Sequence, residues 1–154
     1  MKTMNFYKYQ GTGNDFILVD DRENRFNLSG EEIAFLCNRH FGIGADGLIL
    51  LRNHPAYDFE MIYYNSDGAA GSMCGNGGRC LVAFANRLKV INDSAHFIAS
   101  DGEHRGLVGG KEPSFISLLM KDVRDIRPHK NGWLLDTGSP HFVIPVEDME
   151  LDVE

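Results

Sequence analysis

The chain has 154 residues, 43% of them hydrophobic, which is enough to bury one core. Its formal net charge is −7 and its lysines and arginines are scattered singly, so we expect no nucleic-acid or membrane partner. No apolar run reaches the ~18 residues that cross a bilayer, and we predict a cytoplasmic protein.

The amino-terminal third of the chain predicts a strand pair followed by a helix. Aromatic and β-branched runs at residues 5–9 and 15–20 flank the turn-rich GTGN, which is typical of a hairpin. The segment SGEEIAFLCNRHFG then places Ser29 and Glu32 in capping-box spacing and ends in basic residues and Gly42. It predicts a helix on the surface of the domain.

The remaining elements are mostly strands. Short β-rich runs predict strands at residues 47–51 and 59–64. The run RCLVAFANRLK, residues 79–89, is apolar over most of its circumference, which predicts a buried helix. Five strand-like runs follow: AHFIAS, HRGLVG, FISLLM, GWLLDT and HFVIPV. Strands outnumber helices, so we predict an α+β fold in which a curved sheet surrounds one buried helix.

The cysteines are expected to be free thiols. Cys37, Cys74 and Cys80 make an odd number in a chain without a secretion signal, which argues against a disulfide framework. The close cysteine and histidine pairs typical of zinc sites are missing, so no metal site is expected.

The stretch MCGNGGRC, residues 73–80, is the strongest candidate site. It leads into the predicted buried helix, so Cys74 lies at or just before the first helical turn, where free amides and the helix dipole favour a thiolate. Gly75, Gly77 and Gly78 leave backbone N–H groups accessible to an anion. The alternative is a structural cysteine beside a tight turn. Cys80, further along the helix, is expected to be a buried apolar residue.

Other polar residues near strand ends are weaker candidates. Asn14 and Asn65 are either turn residues or ligand-binding residues. GTGND, residues 11–15, matches neither a dinucleotide fingerprint nor a P-loop. His141, in SPHFV, is either a surface residue or the base of a cysteine hydrolase that has Cys74 as its nucleophile. A binding or dimerising domain without catalytic activity is a third alternative.

Four segments together resemble the diaminopimelate epimerases. They are GTGNDFILVD, HFGIGADGLILL, NSDG followed by MCGNGGRC, and TGSPHFV, and the similarity extends from residue 5 to about residue 146. Proline racemases and phenazine-biosynthesis isomerases are similar in fold. The resemblance implies a mostly antiparallel, barrel-like sheet around a central helix, in each of two similar domains.

The resemblance also implies an activity without pyridoxal phosphate, metal or any other cofactor. The substrate would be diaminopimelate, interconverted between its LL and meso forms by two cysteines, on the route to lysine. One of them would be Cys74, with Gly75 and Asn76 as donors and Asn14 and Asn65 as substrate-binding residues. Another racemase or isomerase of the same fold is the alternative.

The sequence departs from the family pattern at several positions. The second catalytic cysteine of the family lies in a carboxy-terminal half that this chain lacks. We therefore expect an amino-terminal domain at residues 1–113, the opening strands of a second domain at residues 114–154, and little activity alone. Ser139 stands where many members have asparagine, and Ala69 and Ala70 replace more polar residues. As partners we expect the missing half and, as an alternative, a second copy in a homodimer.

Overall fold

A computed structural model describes residues 4–110 and 115–146 of the chain. These residues form ten strands and two helices. In chain order they are β1 (Tyr7–Gly11), β2 (Asn14–Asp20), α1 (Gly30–Cys37), β3 (Gly47–Arg52), β4 (Phe59–Asn65), α2 (Gly75–Arg87), β5 (Ser94–Ala99), β6 (Gly102–Gly109), β7 (Phe115–Leu119), β8 (Ile126–His129), β9 (Gly132–Asp136) and β10 (Pro140–Val143). No helix among them is both long enough and apolar enough to cross a membrane.

The chain divides into two compact units, Met1–Met120 and Lys121–Glu154, each described by itself below. The predicted boundary between residues 113 and 114 falls in the segment KEPS, residues 111–114, which lies outside the described residues. The division into 1–113 and 114–154 therefore stays a prediction. Strand β7, which follows KEPS, pairs with β6 inside the first unit.

The first unit is a curved seven-stranded sheet in the order of the chain, β1 to β7. Four neighbouring pairs are antiparallel, whereas β2 with β3 and β4 with β5 are parallel. Helix α2 contacts β1 and β2 near one edge and β6 and β7 near the other, so the sheet curls around it. This confirms the predicted α+β fold with one central buried helix.

The sheet carries apolar side chains on both faces because each face is covered by a helix. Residues of β2, β3 and β4 that point towards α2 form the larger core with its apolar side chains, among them Leu81, Phe84 and Ala85. The alternate residues of β2 and β3 pack against Ile33 and Cys37 of α1. Alternation along a strand sends successive side chains to opposite faces, which explains why both faces of these strands are buried.

The predicted hairpin is present and has a two-residue turn. Thr12 and Gly13 both have positive φ, 54° and 86°, as the tight primed hairpin turns require. A Cβ on the preceding Gly11 would lie 3.3 Å from the backbone oxygen of Asn76 and 3.4 Å from the sulfur of Cys80. Glycine at this position therefore lets the hairpin approach the start of α2.

Helix α1 begins as predicted but ends earlier. Ser29 and Glu32 make both hydrogen bonds of the capping box. The helix ends at Cys37, not near Gly42, because the side chain of Asn38 accepts hydrogen bonds from the backbone N–H groups of His40 and Phe41 at 2.9 and 3.0 Å. This local bonding replaces the next helical turn.

The second unit contains a three-stranded antiparallel sheet in the order β10-β9-β8. Strands β9 and β10 match two of the predicted runs, whereas β8 has no counterpart in the sequence prediction. Its residues IRPH are all exposed and include Pro128, so they carry no strand pattern. Proline is compatible with this position because β8 is an edge strand.

Candidate active site

Cys74 occupies the N-cap position of helix α2, as the glycine-rich sequence predicts. Its backbone is extended and its sulfur accepts a hydrogen bond from the N–H of Gly77 at 3.5 Å. The thiol is half-buried. The first amides of a helix have no partner within the helix, so Gly75 and Asn76 present backbone donors at the same end.

Two asparagine side chains lie beside this thiol. The side-chain oxygen of Asn14, the first residue of β2, is 3.6 Å from the sulfur of Cys74 and 3.5 Å from the side-chain nitrogen of Asn76. The side-chain oxygen of Asn76 accepts hydrogen bonds from Thr12 Oγ1 at 2.9 Å and from the guanidinium of Arg79. The structure thus brings Cys74, Asn14 and Asn76 together, three of the predicted site residues.

A charged cluster lies behind Asn14. Asn14 Nδ2 donates to Asp46 Oδ2 at 2.7 Å, and Asp46 Oδ1 accepts from Arg39 at 2.8 Å. Arg39 also contacts both carboxylate oxygens of Asp15, at 2.7 and 3.2 Å, and Lys8 lies 2.6 Å from the same group. The Arg39 guanidinium, and Lys8 to a lesser extent, hold the pKa of Asp15 well below its ordinary value.

Tyr63 of β4 borders the site on the α2 side of the sheet, where it packs against the same core as Cys74. Burial raises the pKa of Tyr63 to about 12, so its hydroxyl stays protonated at neutral pH and can donate a hydrogen bond. A Cβ on Gly47 would lie 2.4 Å from the Tyr63 ring, and one on Gly71 would lie 2.3 Å from it. These two glycines make room for the ring.

Asn65 is the last residue of β4 and Asn14 is the first residue of β2, and both lie at the same end of the strands. Asn65 pairs with Gly47 of β3, and Gly47 in turn pairs with Phe16 of β2. Its backbone also closes the following turn, through bonds with Ala69 and Gly68. The register therefore places Asn65 two strands from β2, while its proposed contact with a substrate stays a prediction.

The other two thiols are buried. Cys37, the last residue of α1, is 3% exposed, and Cys80, within α2, is 4% exposed, which confirms the expectation that Cys80 is a buried residue. Burial raises the pKa of Cys37, and raises that of Cys80 to about 11. Both are therefore protonated and inaccessible at neutral pH.

His141 and Ser139 belong to the second unit, around the turn between β9 and β10. The Nδ1 of His141 donates to the backbone oxygen of Ser139 at 2.7 Å and lies 3.3 Å from Thr137 Oγ1. The ring is exposed. The roles predicted for His141 and Ser139 stay predictions.

Several residues of the site have no strong signal in the sequence. Thr12 and Asp46 contact the predicted residues, and Tyr63 borders them, because the pairing of the strands brings distant segments together. Arg79 lies about one helical turn after Asn76 on α2, so its contact is local. The sequence could have indicated Asp46 by its position, since it directly precedes a predicted strand, and Asn14 also stands at the start of a strand. Within residues 4–110 and 115–146, no three His, Cys, Asp or Glu side chains are grouped to hold a metal ion.

Solved structures with similar folds define the class of this domain. A hydroxyproline epimerase from Agrobacterium vitis has a TM-score of 0.63 at 11% identity, and the match covers 92% of this chain and 51% of that one. A phenazine biosynthesis protein of the PhzF family from Bacillus anthracis has a TM-score of 0.62 at 19% identity, covering 82% and 43%. The fold is thus that of the racemase and PhzF-like proteins.

The sequence comparisons identify the family. Residues 6–107 match the family model described as diaminopimelate epimerase. The diaminopimelate epimerase of Flavobacterium psychrophilum is 55% identical over 141 residues, 91% of this chain, and that of Chlorobaculum tepidum is 43% identical over 150 residues, 93% of it. The chain belongs to the diaminopimelate epimerase family. It spans 54% and 58% of the lengths of these two relatives.

Proposed function

We propose that this chain supplies one half of the active site of a diaminopimelate epimerase that works without a cofactor. The observation that carries this proposal is the position of Cys74 at the N-cap of a buried helix, beside Asn14 and Asn76, in a chain of this family. The substrate is a small amino acid, diaminopimelate, and the reaction inverts its α-carbon between the LL and meso forms.

Inversion without a cofactor requires two acid/base groups on opposite faces of the α-carbon. Cys74 acts on one face. As the proton leaves, negative charge develops on the substrate carboxylate, and the amides at the start of α2 stabilise it. Gly75 and Asn76 supply these donors, while Asn14 and Asn65 bind the remainder of the substrate.

Neither other cysteine of this chain is suited to be the second acid/base group, since Cys37 and Cys80 are buried and protonated. We assign it to the part of the relatives that this chain does not cover. His141, the second residue of β10, is proposed as a catalytic residue, and Ser139, in the turn before it, is proposed as a substrate-binding residue.

The test uses a chimera in which this chain is continued by the carboxy-terminal part of the Flavobacterium psychrophilum enzyme. Incubated with LL-diaminopimelate in deuterium oxide, the chimera is expected to produce the meso form and to exchange the α-proton for deuterium. Cys74→Ala is expected to abolish production of the meso form, whereas Cys37→Ala is expected to retain both activities in the folded protein. Turnover that survives in the Cys74→Ala chimera would contradict the proposal.

A further inference from the structure

The two asparagines at the site are each held by a charged side chain of fixed hydrogen-bonding character. An ionised carboxylate only accepts hydrogen bonds, so Asp46 Oδ2 at 2.7 Å from Asn14 must face the NH2 group of its amide. A guanidinium only donates, so Arg79 must face the oxygen of Asn76. An asparagine amide has one donor end and one acceptor end, and fixing one end fixes the other.

This arrangement determines which atom of Asn14 faces the thiol. With its NH2 group on Asp46, Asn14 presents its oxygen to Cys74 at 3.6 Å and to the NH2 group of Asn76 at 3.5 Å. The backbone N–H of Asp15 donates to the same oxygen of Asp46 at 3.0 Å, and Arg39 donates to the other at 2.8 Å. These bonds leave the carboxylate little freedom to turn.

We propose that Asp46 is a positioning residue that orients the Asn14 amide so that its oxygen accepts the hydrogen bond of the Cys74 thiol. The sulfur then has an acceptor on one side and the Gly77 N–H at 3.5 Å on the other, which suits a protonated thiol. A thiolate would face the partial negative charge of the Asn14 oxygen. Asp46 thereby fixes the direction in which the Cys74 thiol presents its proton.

This inference rests on the proposed function only for the use of that proton. The charged and titratable groups around the thiol must be separated from the effect of Asn14. In the described part of the chain they are Tyr63 on β4, Cys80 and Arg79 on α2, and the carboxylate of Asp46 itself. The experiment therefore measures the reactivity of the Cys74 thiol without substrate. Its variants separate the effect of the Asn14 amide orientation from that of the Asp46 charge.

The measurement is the rate of Cys74 alkylation by iodoacetamide as a function of pH, followed by peptide mapping. In Asp46→Asn, residue 46 offers both a donor and an acceptor, so the Asn14 amide can turn its NH2 group to the sulfur and favour the thiolate. The midpoint of the alkylation profile is expected to fall by about one pH unit, the size of one changed hydrogen bond.

Asp46→Asn also removes a negative charge, so the same change is made in an Asn14→Ala background. There the shift is expected to be small, because no amide is left to turn. An equal shift in both backgrounds would assign the effect to charge alone and overturn the proposal, as would an unchanged or higher midpoint in Asp46→Asn. Asp15→Asn is the matched control, since Asp15 shares Arg39 with Asp46 but does not contact the Asn14 side chain.

A second measurement on the unaltered chain does not depend on the variants folding. The Asn14 side-chain NH2 and the Asp15 backbone N–H donate to the same oxygen of Asp46, so their protons lie close together. A nuclear Overhauser effect between them is expected. An effect from the Asn14 NH2 protons to the Cys74 Hβ protons instead would show the opposite amide orientation and overturn the proposal. Because neither measurement involves turnover, failure here is distinct from failure of the proposed epimerase activity.

Discussion

Among individual residues, the position of Cys74 at a helix start could be predicted from the sequence, whereas the residues around it could not. Glycines and an asparagine before an apolar helical run indicate a helix start, which is how Cys74 is found. Asp46 and Thr12 are ordinary loop residues by type and acquire a role only through contacts with residues far away in sequence. Such contacts depend on strand register, which no local pattern encodes.

The difference among the three thiols gives a prediction at this scale. Cys74 is half-buried at a helix start, whereas Cys37 and Cys80 are buried and have raised pKa values. With iodoacetamide at pH 8, Cys74 is expected to react at least about tenfold faster than either other cysteine, because burial shields the other two sulfurs from the reagent and raises their pKa values. Mass-spectrometric peptide mapping at short times measures this. The Cys74→Ala variant should show only slow labelling; comparable labelling of Cys37 in the unaltered chain would refute the ranking.

At the element scale, strand and helix signals predicted most elements but not how the strands pair. The hairpin of β1 and β2 follows from its turn residues, and α2 follows from its apolar circumference. The parallel pairing of β2 with β3 has no turn signal of this kind, because the two strands are joined through α1 and not by a tight turn. A helical crossover is the connection that allows neighbouring strands to run parallel. Asn14 begins β2 and Asp46 immediately precedes β3. Because these two strands pair in parallel, both residues lie at the same end of the strands.

The charged cluster that joins these elements should make stability depend on pH. Asp15 on β2 binds Arg39, which follows α1, and Lys8 on β1, and its pKa is lowered from 3.8 mainly by Arg39. A carboxyl group whose pKa is lower in the folded than in the unfolded chain stabilises the fold at pH values above the unfolded-state pKa. This stabilisation is lost as the pH falls below the unfolded-state pKa towards the folded-state pKa. Asp15 is 19% exposed but Arg39 is 55% exposed, so solvent weakens the pair.

Asp15→Asn is therefore expected to lower the free energy of unfolding at pH 7 by about 1 kcal/mol. The difference from the unaltered chain should be the same at pH 5 and should shrink at pH 3. Urea unfolding followed by circular dichroism at the three pH values measures it. A difference that stays constant down to pH 3 would show that the loss comes from packing, not from the charge of Asp15.

At the scale of the whole molecule, the family and the α+β architecture could be predicted from the motifs, because MCGNGGRC and its companions occur in order along the chain. The division between residues 113 and 114 stays a prediction. Strand β7 follows the predicted linker yet pairs with β6, because Ile116 and Leu118 pack against the core around α2. The burial of these apolar side chains explains why β7 belongs to the first sheet. Turn residues in the sequence do not predict this pairing.

The last prediction concerns the activity of the chain alone. We expect the 154 residues to show no measurable epimerisation of diaminopimelate, because one thiol can serve only one face of the α-carbon. The absence of one positioned acid/base group costs about 10²–10⁴-fold in rate, and an open site also loses the exclusion of water and the orientation that a closed cleft supplies. Deuterium incorporation at the α-carbon is the sensitive readout, because Cys74 could still exchange a proton slowly without inversion. Exchange with retention of configuration would agree with a single acid/base group, whereas inversion by the chain alone would require a second group within these residues or in a second copy of the chain.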